Sequence, residues 1–107
     1  MSKREATQIV KAYAQALKKE RFEFEQIYLF GSQAAGRATD LSDIDVAVVS
    51  RRPGRGKSYL QRKMRLWETA VNIDTRIEPI LLSTDDLLAS TTSIMGDQVR
   101  KYGVRVT

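Results

Sequence analysis

Two runs of this chain hold residues that could do chemistry. The first is Leu29-Phe30-Gly31-Ser32, an apolar run ending in Gly-Ser. The second, ten residues further on, is Asp43-Ile44-Asp45-Val46-Ala47-Val48-Val49, where two aspartates open another apolar run. Gly31 and Ser32 can set backbone N–H groups and a hydroxyl against a phosphate at the start of a short helix. Side chains alternate along a strand, so Asp43 and Asp45 share a face. Two carboxylates side by side repel, and a divalent cation relieves that repulsion; Mg²⁺ is commonly held by one or two carboxylates plus substrate phosphates. A phosphate cradle facing a carboxylate pair is what metal-dependent phosphoryl or nucleotidyl transfer needs.

Composition narrows the chemistry further. The sequence has 107 residues, 42% of them hydrophobic, which suits one small domain spanning 1–107 with a real core. It contains no Cys and no His. Thiolate zinc sites, imidazole ligands, Cys nucleophiles and Ser-His-Asp triads are therefore excluded. Acid–base and metal chemistry fall on Asp and Glu, which favours Mg²⁺ or Mn²⁺ over zinc. No apolar run approaches the roughly 20 residues that span a membrane. The first residues, Met1-Ser2-Lys3-Arg4-Glu5-Ala6, lack the apolar centre of a signal peptide, so a cytoplasmic protein is expected. The net charge of +5 permits acidic partners or nucleotides without choosing among them.

The elements that must position these residues follow from periodicity. Ser2 and Glu5 fit a capping box, and Ala6, Ile9, Val10, Tyr13, Ala16 and Leu17 recur at helical spacing, giving a helix over 3–20. Residues 27–30 read as a buried strand. Ser32 caps a short helix over 33–35 that Gly36 stops, and a polar loop runs to Ser42. A second strand covers 43–49. The run 50–57, with Pro53, Gly54, Gly56, Arg51, Arg52, Arg55 and Lys57, is a solvated basic loop. Ser58 caps a helix to about Val71, in which Leu60, Met64, Trp67 and Val71 form a stripe that reads as core, with a partner-binding surface as the lesser reading, and Tyr59, Leu66 and Ala70 widen it. A third strand covers 73–82, with Asp74, Arg76 and Glu78 on one face; Pro79, which removes a ladder donor, implies an edge strand or a bulge there. Ser83 caps a short turn over 84–88. A last helix over 92–102 has Ile94, Met95, Val99 and Tyr102 as its apolar face and Gly103 as its cap. The result is an α+β fold, a small mixed sheet with helices packed mainly on one face.

With these elements in place, Gly31-Ser32, ten residues, Asp43-x-Asp45 resembles the signature of the polymerase-β-type nucleotidyltransferase superfamily. Phe30, Gly36, Ser42 and the apolar strand after Asp45 extend the match. The short length and helix-first order resemble the minimal nucleotidyltransferases. Many of those are encoded beside a HEPN-domain partner, and some act as antitoxins that attach AMP to it.

The resemblance implies roles by position. Gly31 and Ser32 would hold the phosphates of a nucleoside triphosphate, ATP in the antitoxins. Asp43 and Asp45 would hold two Mg²⁺ ions. A third carboxylate on the third strand would complete the metal site and help take the acceptor's proton. Glu78 sits where the family strand carries it; Asp74, four residues away and so roughly 13 Å along a strand, is the alternative. Catalysis would therefore fall to Asp43, Asp45 and Glu78. Family members often carry basic residues where this chain has Gln33 and Ala35, and Arg37 is the substitute phosphate contact.

Three functional classes follow. One is an enzyme moving AMP from ATP to a hydroxyl of a protein or small molecule, with a HEPN-type partner as acceptor. The second is a weakly active or inactive antitoxin of the same fold that acts by complex formation. The third, a nucleic-acid binder using Arg51, Arg52, Arg55 and Lys57, ranks last because no aromatic stacking platform accompanies the charge. A domain this small must recognise a large acceptor by one of its edges, through a second copy in a homo-oligomer, or through another chain. Gly56-Lys57-Ser58 imitates the end of a P-loop, but the required first Gly is Arg51.

Overall fold

The computed structural model describes residues 1–34 and 43–107. The elements run α1 (Lys3–Lys19), β1 (Gln26–Phe30), α2 (Gly31–Ala34), β2 (Ile44–Ser50), α3 (Gly56–Ile73), β3 (Ile77–Ser83), a 3-10 turn (Thr84–Leu87), α4 (Ile94–Tyr102) and β4 (Val104–Arg105). Arg37, with Ala35, Gly36 and Ser42, lies outside the described residues.

The four strands form one mixed sheet in the order β3-β2-β1-β4. β1 runs antiparallel to both β2 and β4, while β2 and β3 are parallel, joined through α3. The expected α+β architecture is present. β3 pairs only with β2, so Pro79 does stand on an edge strand. β4 was not legible: two residues carry no alternation, and only pairing with Tyr28 and Leu29 makes them a strand.

Alternation sorts the sheet into two faces. On one, Ile27, Leu29, Ile44, Val46, Val48, Ile77 and Leu81 are buried against Ala6, Val10, Tyr13 and Leu17 of α1 and Leu66 and Ala70 of α3. On the other, Phe30, Ala47, Val49 and Leu82 pack with Val99 of α4. The two long helices thus share one face, and α4 covers part of the opposite one. Fully burying such an aliphatic side chain contributes roughly 1.5–3 kcal/mol, so the first face carries most of the stability.

α1 begins where Ser2 Oγ accepts the Glu5 N–H at 3.1 Å. It ends in a Schellman pattern, with Arg21 N–H donating to Lys18 O and Phe22 N–H to Leu17 O, and with Arg21 in the left-handed region at φ 59°.

α3 departs from the sequence reading in two ways. It starts at Gly56 rather than after Ser58; Ser58 lies inside its first turn, where its hydroxyl joins the Arg55 backbone. Its apolar stripe is not core. Leu66, Thr69 and Ala70 face inward, while Leu60, Met64, Trp67 and Val71 face solvent. Polar anchors set this rotation. Tyr13 OH donates to Leu66 O at 2.9 Å, Thr69 Oγ1 to Glu20 Oε2 at 2.5 Å, and Arg65 Nη2 to Glu20 O at 3.1 Å. Arg62 donates to Glu23 O at 2.7 Å, and both guanidiniums lie over the Phe22 ring, 4.5 and 5.2 Å from its centre. Turning the larger stripe inward would break all of these at once.

The other corrections are local. Ile73 ends α3 and β3 starts only at Ile77, so Asp74 is the helix C-cap rather than a strand residue. Asp43 stands one residue before β2. In α4, Val99 is buried while Ile94, Met95 and Tyr102 are exposed. Among the described residues, no helix is long and apolar enough to cross a membrane.

Candidate active site at three strand ends

Pairing direction explains why distant sequence positions meet. β1 is antiparallel to β2, so the end of β1 lies beside the start of β2, with Phe30 opposite Asp45. β3 is parallel to β2, so its start lies at the same end, with Asp45 opposite Glu78. Three strand ends therefore bring Gly31, Asp45 and Glu78 to one edge of the sheet, with Asp43 just before β2. By alternation, Asp45 and Glu78 continue the Ala47–Val49 and Leu82 rows, on the face that α4 partly covers.

Gly31 opens α2 with φ +72°, a conformation that L side chains rarely adopt. A Cβ built there would overlap Asp45 Oδ2 and stand 3.1 Å from Asp45 Cγ. Glycine is thus required twice over, for the turn and for room beside the carboxylate. Sequence reading assigned Gly31 to phosphate contact and missed this approach to Asp45; its only trace was a glycine ending an apolar run.

The carboxylates stand close enough to shift one another. Asp45 is half-buried, and burial followed by the Asp43 charge raises its pKa, against a hydrogen bond from Glu78 that lowers it. Glu78 is raised by partial desolvation, then by the charge of and hydrogen bonding to Asp43, then by Asp45. Among the described residues no three such groups already stand as a cation cage; the Glu78 carboxyl instead lies close to those of Asp43 and Asp45. The all-oxygen donor set and its excess negative charge suit a hard divalent cation. Asp43, Asp45 and Glu78 are the groups that would hold it.

Asp74 is not brought to this cluster. It is tied to Arg76, accepting from Nε at 3.0 Å, from Nη2 at 2.8 Å and from the backbone N–H at 2.9 Å. The Arg76 side-chain hydrogen bond holds its carboxyl below the usual carboxylate range. The basic loop is also elsewhere. It follows Ser50, five residues and so roughly 17 Å along β2 from Asp45, at the opposite end of the sheet. Its base is fixed by Arg62, which donates to Arg52 O and, at 3.4 Å, to Ser50 Oγ.

Known proteins share the family profile and the fold. The polymerase β nucleotidyltransferase family profile matches residues 11–100. No curated protein matches the chain by sequence. Among solved structures, a Sulfolobus solfataricus protein assigned as a nucleotidyltransferase is similar, with a TM-score of 0.66 at 19% identity, over 96% of this chain and 80% of that one. The MntA–HpeT toxin–antitoxin structure, in a form with two aspartates changed to glutamate, gives a TM-score of 0.54 at 20% identity, covering 91% of this chain and 70% of that one. The Shewanella oneidensis MNT antitoxin complex with its tri-AMPylated HEPN toxin gives a TM-score of 0.54 at 19% identity, covering 98% and 71%. At these identities the structural likeness speaks for the fold.

Proposed function

Because this chain belongs to the polymerase β nucleotidyltransferase family, we propose that it moves AMP from ATP to a hydroxyl of a HEPN-type partner protein, as an antitoxin. The observation that carries the reading is the convergence of Asp43, Asp45 and Glu78 beside Gly31 at one end of the sheet. The similar fold of an antitoxin found with an AMPylated toxin supports the choice of group and acceptor.

Gly31 and Ser32 would receive the triphosphate at the start of α2, with Arg37 as a further contact. Asp43, Asp45 and Glu78 would hold Mg²⁺ or Mn²⁺. Bound there, the cation supplies charge neutralisation at the triphosphate and Lewis acidity at the reacting phosphoryl group. In the reaction the acceptor oxygen bonds to the α-phosphorus, the bond from that phosphorus to the bridging oxygen breaks, and pyrophosphate leaves. The hydroxyl proton would pass to Glu78, which like Asp43 is exposed, while Asp45 is half-buried. Positioning and electrostatics carry most of such catalysis, so a small domain suffices.

Incubation with ATP labelled at the α-phosphate, Mg²⁺ and a HEPN-type partner tests the proposal. Label should reach the partner with the wild type and not with Asp43→Asn, Asp45→Asn. Label transfer unchanged by that double substitution would refute the assigned roles. A double variant that still binds and neutralises the partner would favour action by complex formation.

A further inference from the structure

We propose that the outer stripe of α3 is a homodimer seam, in which two copies of this chain pair their α3 helices antiparallel. The proposal does not depend on the catalytic reading. Leu60, Met64, Trp67 and Val71 are 58%, 61%, 42% and 58% exposed, on a helix whose other side is locked by five hydrogen bonds and two ring contacts. Four large apolar side chains in one row exceed what scattered surface residues explain. Their spacing of four, three and four residues is that of a two-helix seam.

Self-complementarity identifies the occupant. A two-fold axis level with the midpoint of residues 65 and 66 sets Leu60 against Val71 of the second copy. It sets Met64 against Trp67 of the second copy, where a thioether meets an aromatic ring. Charge chooses the direction. A parallel pair would bring both basic loops, with Arg51, Arg52, Arg55 and Lys57, side by side. The antiparallel pair separates them and places Lys57 near the C-terminal end of the opposite helix, where carbonyl dipoles favour a cation. α3 covers one sheet face and the carboxylates lie on the other, so both sites stay open in the dimer. With four apolar side chains from each copy the seam is small for a specific interface, so association should be weak and depend on concentration.

Trp67 is the only tryptophan and so reports its own burial. Sedimentation equilibrium and tryptophan emission of the full chain, from about 1 µM to about 1 mM, should show monomer converting to dimer with a blue shift. Leu60→Lys and Val71→Glu, at exposed positions that leave the fold intact by circular dichroism, should each weaken dimerisation at least ~10-fold. Mixing the two variants should restore it, because Lys at 60 then meets Glu at 71 across the seam while the other end keeps Leu60 against Val71. A monomer throughout, or a dimer indifferent to both substitutions, overturns the proposal. Loss in each variant without recovery on mixing overturns the antiparallel register. A blue shift that needs added phosphatidylglycerol vesicles, or an added HEPN-type protein, gives the stripe to that occupant and overturns the homodimer.

Discussion

Asp45 and Glu78 are register partners across the one parallel pairing of the sheet, and their carboxyls stand within hydrogen-bonding reach. Thirty-three positions apart in sequence, they meet because α3 returns the chain to the edge where β2 began. Mutual repulsion of the carboxylates collected there gives the site a cost in stability as well as a use.

That cost should appear in the pH dependence of folding. Asp45 is raised by burial and by Asp43, and Glu78 by desolvation and by both aspartates. A carboxyl with a raised folded pKa binds its proton more tightly when folded. Its contribution is full below the unfolded values of about 3.9 and 4.3, and is lost as pH rises through the folded ones. In chelator, the unfolding free energy of Asp45→Asn should therefore gain on the wild type as pH climbs from about 4 to about 7. Urea titrations of both proteins at several pH values check this; a gap that closes with rising pH contradicts the cluster.

Gly31→Ala should cost about 1–3 kcal/mol of stability and most of the activity, because it combines left-handed backbone with overlap on Asp45. Gly56→Ala is the control. Its φ is +54° but its Cβ would enter open space, so it should lose only about 1 kcal/mol. Equal losses in thermal melts would remove Asp45 from the explanation.

The two candidate third carboxylates should separate by phenotype. Glu78→Gln should weaken Mn²⁺ binding by at least about 10-fold, with little loss of fold stability. Asp74→Asn should leave Mn²⁺ affinity unchanged and cost about 1 kcal/mol at neutral pH, by breaking the bidentate Arg76 contact. That Asp74 contribution lies above its unfolded pKa of about 3.9 and fades as pH falls through the lower folded value. Calorimetric Mn²⁺ titration with parallel melts decides; an Asp74→Asn protein that loses the metal would reverse the assignment.

Arg21→Gly should stabilise the protein by about 0.5–1 kcal/mol, since Arg21 occupies the left-handed position that closes α1, where glycine has no Cβ penalty. A lower melting midpoint would mean that the Arg21 side chain contributes more than its backbone costs.

The sequence by itself determined the local parts. Continuous apolar runs located β1 and β2, Ser2 and Ser83 marked helix starts, and the Gly-Ser and Asp-x-Asp spacing carried the family, because each of these signals is written within a few consecutive residues. Tertiary structure decided what depends on long-range pairing. The parallel register of β3 set Glu78 beside Asp45, while the Arg76 contact held Asp74 at the end of α3. The rotation of α3 was equally beyond periodicity. Two adjacent stripes, one of Tyr59, Leu66 and Ala70 and one of Leu60, Met64, Trp67 and Val71, are both apolar in sequence. Hydrogen bonds and ring contacts from Tyr13, Glu20 and Phe22, forty or more residues away, selected the first for the core and left Trp67 outside.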